Sequence, residues 1–169
     1  MLAFRSCADV MAEAVIAFGG NVGGETQVRI TLDRAIATLC DDIDVTLLAR
    51  SSDYRTPPWG VTDQPPFVNA AALLDTALSP PDLLDALKRF EHEAGRVATY
   101  RWGPRVLDLD ILTYGDERID EPGLTIPHAR LAERAFVLVP LAAIDPRYVP
   151  LRDALPPGER AAVVELDGQ

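Results

Sequence analysis

Arg101-Trp102-Gly103-Pro104-Arg105-Val106-Leu107-Asp108-Leu109-Asp110-Ile111 is the stretch on which the reading of this chain turns. From Val106 onward apolar and acidic residues alternate, and side chains along a strand point alternately to its two faces. A strand over 106–111 therefore puts Leu107, Leu109 and Ile111 on one face and Asp108 and Asp110 on the other. The apolar face needs a core. Two like charges a few ångströms apart need a counter-ion, and hard carboxylate oxygens suit magnesium, which takes one or two carboxylates, waters and substrate phosphates. From spacing alone a solvent-facing strand edge with two ordinary acids explains the pair equally well. The flanking Arg105 and Trp102 tip the balance toward a site for metal and nucleotide phosphate.

The surrounding chain narrows the partner. A length of 169 residues, 48% hydrophobic and 25% charged, fits one soluble domain with a substantial core. We expect a single domain over 14–169, preceded by a disordered extension over 1–13. No apolar run is long enough to span a membrane, and the N-terminus lacks the order of a signal peptide, so the cytoplasm is the expected compartment. Cys7 and Cys40 form no metal or redox motif. A net charge of −10 repels nucleic acid. Against that background Lys88, Arg89, Arg96, Arg101 and Arg105 form a local positive focus, suited to a small anion. Lys88 is the only lysine, so phosphate recognition must depend on arginine, whose planar fork grips two oxygens.

Element by element, Val15-Ile16-Ala17-Phe18 reads as a buried strand entering a tight glycine turn over 19–24. That turn lacks the lysine and hydroxyl residue of a phosphate-binding loop. Val28, Leu32, Ala35, Ile36 and Leu39 follow helical spacing within 25–39. Strands are expected over 45–54 and 67–77, with a proline-rich loop between Thr56 and Pro66. Ser79-Pro80 starts a second helix, with Leu83, Leu84, Leu87, Phe90 and Ala94 inward, that stops at Gly95. The strand opened by the acidic pair ends near Tyr114. A helix carrying Leu131, Arg134, Phe136 and Leu138 follows His128, and Pro140, Pro146 and Pro150 break up the remainder, with a short strand near 148–151. The elements do not alternate as regular βαβ units, which favours an α+β fold over a doubly wound one.

Glu91 falls on the apolar stripe of the second helix, where a carboxylate is costly to bury unpaired; a ligand or a nearby cation could answer it. Thr56, Pro57, Trp59, Phe67 and Asn69 combine flat apolar surface with an amide able to read a heterocycle's edge, although from these residues alone a packed loop with a structural asparagine is the better reading. His128 before a helix reads first as a cap or core group.

These blocks together resemble the 6-hydroxymethyl-7,8-dihydropterin pyrophosphokinase family of folate synthesis. The resemblance is carried by Gly19-Gly20-Asn21, residues 51–58, Asp63 through Ala70, Glu91 with Gly95-Arg96, the opening stretch, Ile126-Pro127-His128, and Arg134 through Leu141. It implies a ferredoxin-like α+β fold, a largely antiparallel central sheet flanked by helices. It also implies transfer of the β,γ-pyrophosphoryl group of ATP to a pterin hydroxymethyl oxygen, with release of AMP. By the same resemblance, Asp108 and Asp110 hold two Mg2+ ions, and Arg96 and Arg105 grip the transferring group. Glu91, Arg101, Trp102, Ile111, Thr125, His128 and Arg134 line the ATP site, while Thr56, Pro57, Trp59, Phe67, Asn69 and Phe136 surround the pterin. The expected partners are these two small molecules, with no nucleic acid or membrane, and a monomer. Gly20 stands where serine is common in the family, Gly123 and Ala129 replace nucleotide-touching side chains, and the 96–102 connection is one residue short. A non-catalytic ferredoxin-like ligand-binding module is the alternative, and a magnesium-dependent nuclease or nucleotidyl transferase is a third. Intact Asp108, Asp110, Arg96 and Arg105 argue against the module, which has no need of two metal-holding acids.

Overall fold

In the computed structural model, which describes residues 11–41, 44–95, 100 and 103–167, the strand β1 (Ala12–Gly20) is apolar on both faces. Ala14, Ile16 and Phe18 join one core cluster, and Val15 and Ala17 belong to another. It therefore sits inside the sheet, antiparallel to β4 (Phe67–Thr76) on one side and to β5 (Asp108–Tyr114) on the other. Beyond β4 lie β2 (Val45–Arg50) and β3 (Tyr54–Thr56), and β8 (Val164–Glu165) pairs with β3. Counting β2 and β3 as one interrupted edge, the order is β5-β1-β4-(β2, β3), an antiparallel ferredoxin-like arrangement.

Helix α1 (Glu25–Cys40) buries the five residues that its spacing predicts, Val28, Leu32, Ala35, Ile36 and Leu39. Helix α2 (Pro80–Glu93) starts at Ser79, whose hydroxyl accepts from the Asp82 amide, and Leu83 and Leu87 enter the same core. Both helices cover the face that carries Phe18, Leu109 and Ile111. The opposite face is covered by α3 (Ala135–Ile144), through Val137, Leu138 and Leu141. The short helices α4 (Val149–Ala154) and α5 (Pro157–Ala161) follow, and the hairpin of β6 (Ile119–Glu121) and β7 (Leu124–Ile126) leans on β5. Among the described residues no helix is long and apolar enough to cross a membrane.

Several expectations need correcting. Ala12 and Glu13, assigned to the N-terminal extension, already pair with Thr76 and Asp75 in β1. The expected strand over 45–54 is broken at 51–53 and resumes through Thr56, because Ser51 turns its hydroxyl to accept the Ala71 amide. The acidic strand starts at Asp108 rather than Val106. Pro140 does not end its helix but lies inside it. An interior proline costs about 3 kcal/mol; burying Leu138 and Leu141 completely returns about 2 kcal/mol each. Pro146 and Pro150 occupy first-turn positions of helical segments, so the expected strand at 148–151 is helix instead. Gly19 and Gly20 are strand residues, not turn residues, and closeness is the reason they are glycine. A Cβ on Gly19 would lie 2.4 Å from the Asn69 side-chain oxygen, and one on Gly20 would lie 2.6 Å from the Val106 carbonyl.

Candidate functional site

The register of the three central strands builds the site. Asp108, Gly19 and Asn69 stand opposite one another in one cross-strand row, and Asp110, Ala17 and Ala71 form the next. Directly opposed residues share a face, so both acids and the Asn69 amide face the α3 side, separated by β1. Two strand spacings put about 10 Å between the backbones of Asp108 and Asn69. Gly19 stands between them and Ala17 in the next row, and neither raises more than a methyl group. The floor of the site is therefore a flat shelf, acidic at one end and amide-bearing at the other.

A cleft of about 260 Å3 stands on this shelf. Thr56, Pro57, Trp59, Phe67, Asn69 and Phe136 line one end, and Arg105, Asp108, Asp110, His128 and Arg134 line the other. The Asn69 amide donates to Thr56 Oγ1 at 2.7 Å, which holds its orientation. Trp59 remains 39% exposed at the rim. The Arg130 and Arg134 guanidinium carbons lie 5.1 and 5.5 Å from its ring centre, and Arg134 is also 5.5 Å from that of Phe136.

At the acidic end Arg105 donates to Asp108 Oδ1 at 2.5 Å. Burial first, and the neighbouring Asp108 charge second, push the Asp110 carboxyl above its usual range, and His128, Lys88 and Arg134 pull the other way. Burial lowers the His128 pKa, with Asp110 opposing. The His128 Nδ1 accepts the Arg130 amide at 3.1 Å, which leaves Nε2 as the nitrogen that carries the ring proton. Burial also lowers the Arg134 pKa, again opposed by Asp110. Its Nε is buried and has no hydrogen-bond partner among the described residues. Such an arrangement can bind a flat polar ring at one end and an anion, through cations and a metal-holding pair, at the other. Among the described residues no three His, Cys, Asp or Glu side chains converge as a ready metal cage.

Eleven of the expected site residues thus line one cleft. Arg96, Arg101 and Trp102 lie outside the described residues. Glu91, Ile111 and Thr125 do not line the cleft. Glu91 is buried beneath the outer edge of β5, Ile111 belongs to the core under α1 and α2, and Thr125 is exposed on β7. Asn21 is a residue for which sequence reasoning assigned no role. Its buried amide donates to Gln64 Oε1 and the Pro65 carbonyl, and its oxygen accepts the Arg105 amide at 2.9 Å. It ties the loop before Phe67 to the arginine end of the cleft. The signals in the sequence were an amide directly after a glycine pair and the place of that block in the family resemblance.

The family model "7,8-dihydro-6-hydroxymethylpterin-pyrophosphokinase (HPPK)" matches residues 15–146. A 2-amino-4-hydroxy-6-hydroxymethyldihydropteridine pyrophosphokinase of Methylorubrum extorquens is 45% identical over 82% of this chain and 86% of its own length. One from Haemophilus influenzae is 46% identical over 79% of this chain and 82% of its own. The crystal structure of Plasmodium falciparum HPPK-DHPS wild type with pteroate superposes with a TM-score of 0.65 at 14% identity. That likeness concerns the fold alone; it covers 85% of this chain, which spans 42% of the longer one. The chain belongs to the 7,8-dihydro-6-hydroxymethylpterin-pyrophosphokinase family.

Proposed function

We propose that this chain is a 2-amino-4-hydroxy-6-hydroxymethyldihydropteridine pyrophosphokinase of folate biosynthesis. It moves the β,γ-pyrophosphoryl group of ATP to the hydroxymethyl oxygen of 6-hydroxymethyl-7,8-dihydropterin and releases AMP. The observation that carries the reading is one continuous cleft, with an aromatic and amide end facing a paired-carboxylate and arginine end across the bare Gly19 shelf.

In this reading Asn69, held by Thr56, reads the polar edge of the pterin, and Phe67, Phe136, Trp59 and Pro57 cover its flat faces. The ring then lies with its hydroxymethyl group toward Asp108. The donor set fits magnesium. Two carboxylates, with no cluster of three His, Cys, Asp or Glu side chains among the described residues, leave positions for water and phosphate, which this ion prefers. Asp108 and Asp110 would hold the two ions, which when bound supply charge neutralisation for the triphosphate. Arg105, Arg134 and the Nε2 proton of His128 bind phosphate oxygens, with Arg134 Nε a buried donor free for that role. Arg96 keeps the grip on the transferring group, and Arg101, Trp102, Ile111 and Thr125 the nucleotide roles, that the resemblance implies.

The hydroxymethyl oxygen forms a bond to the β-phosphorus, the bond from that phosphorus to the α-phosphate oxygen breaks, and the hydroxyl proton passes to water. Such a transfer asks the protein for positioning and charge stabilisation above all. The acids, arginines and aromatic walls supply these. We take the enzyme to act as a cytoplasmic monomer. The test is incubation with ATP, Mg2+ and the pterin alcohol, followed by chromatography of the nucleotides. AMP formed only when the pterin is present is expected; ADP, or no nucleotide turnover, would overturn the assignment.

A further inference from the structure

Among the described residues β5 is the last strand of its sheet, with β1 as its one strand partner, so its outward backbone amides point away from the ladder. One of them, the amide of Leu109, donates to Glu91 Oε1 at 2.8 Å. Both residues are buried, Glu91 to 2% exposure and Leu109 to 1%. Lys88, one helical turn before Glu91, donates to both carboxylate oxygens at 3.1 and 3.3 Å. Leu109 is the residue between the two acids. Because a peptide unit is planar, holding its amide fixes the plane that joins Asp108 to Leu109, and so constrains the strand between the two acids.

A leucine at position 91 would complete the apolar stripe of α2 at lower cost, since a carboxylate is expensive to bury. The ammonium of Lys88 offsets that cost, and a charged acceptor holds an amide more firmly than a neutral one. We propose that Glu91, held by Lys88, is a positioning residue of the pyrophosphoryl-transfer site. It fixes the Leu109 peptide so that Asp108 and Asp110 present their oxygens together to a divalent cation. This role rests on the function proposed above and differs from direct contact with the nucleotide.

The variants Glu91→Leu, which keeps packing but loses the acceptor, and Glu91→Gln, which keeps an acceptor oxygen, separate positioning from helix docking. Two readouts apply: hydrogen exchange of the Leu109 amide by NMR, and Mn2+ binding by electron paramagnetic resonance with α,β-methylene-ATP present. In folded Glu91→Leu the amide is expected to exchange faster and the Mn2+ Kd to rise about tenfold or more, as loss of an outer support for metal ligands does. Glu91→Gln should stay close to wild type in both. Wild-type Mn2+ affinity in Glu91→Leu would overturn the proposal, whatever happens to the amide. If Glu91→Leu does not fold, Lys88→Met replaces it; a raised Mn2+ Kd supports the proposal and an unchanged one overturns it. Failure of the wild-type protein to bind Mn2+ with the analogue would count against the pyrophosphokinase reading itself and overturn this proposal with it.

Discussion

Asp110 pairs across the strand with Ala17 and lies close to Asp108, His128, Lys88 and Arg134. Its carboxyl pKa is raised by burial and by Asp108, so the folded protein binds this proton more readily than the unfolded chain does. Stability from this group is present in full below the unfolded pKa and is lost as pH rises through the folded one. Asp110→Asn removes that loss, so metal-free protein at neutral pH should melt above wild type in calorimetry. The same variant should turn over about 10²-fold more slowly or worse, the equivalent of roughly 3 kcal/mol of transition-state stabilisation. A lower melting temperature or unchanged turnover would contradict this account of the acid. Gly19→Ala tests the shelf. Its Cβ would meet the Asn69 oxygen at 2.4 Å, so the amide must turn away. The pterin KM should rise about tenfold, the order of one hydrogen bond to a ligand, while the ATP KM stays near wild type. The acidic pair could be read directly from the sequence because a period of two needs no tertiary knowledge. Gly19 and Asn21 could not. Their reasons are contacts with Asn69, Gln64 and Arg105, which only the sheet register and a distant loop bring near.

Among the elements, α3 carries Phe136 to the cleft and anchors itself through Leu138, which is fully buried against the sheet. Leu138→Ala should destabilise the fold by about 2–5 kcal/mol in urea unfolding, because it removes contacts and leaves a cavity. The end of α3 is fastened differently. Asp145 is buried and accepts the Arg147 amide and guanidinium, and Arg147 reaches Glu13 on β1 as well. The Arg147 side chain holds the Asp145 carboxyl below its usual pKa. A depressed carboxyl pKa contributes stability above the unfolded pKa and loses it as pH falls through the folded value. Asp145→Asn should therefore cost about 1–2 kcal/mol at pH 7, and the gap from wild type should close below about pH 4. A gap independent of pH would sink the ion-pair account. Elements with a clean period, α1 and α2 above all, were legible to within a residue or two. The break between β2 and β3 and the helical setting of Pro140 were not, since both depend on packing partners rather than on local preference.

At the scale of the molecule, an acidic chain sets Arg105 and Arg134 beside two carboxylates, at one end of a cleft that an antiparallel sheet floors. The aromatic residues of 56–69 were recognisable as a group only through family resemblance. Taken alone, they fitted a packed loop better. The structure brings them together with Phe136 from α3, a meeting that no local pattern announces. The matched family segment ends at residue 146, and the described chain beyond it, α4, α5 and β8, packs against α3 and β3. The central claim is transfer of two phosphoryl units in a single step. It is tested most directly with ATP labelled at the β-phosphorus, by following where the label goes when the pterin alcohol and Mg2+ are supplied. The label should leave the nucleotide and appear in the pterin product as AMP accumulates. Label retained in ADP, with only the γ-phosphorus on the pterin, would contradict the claim.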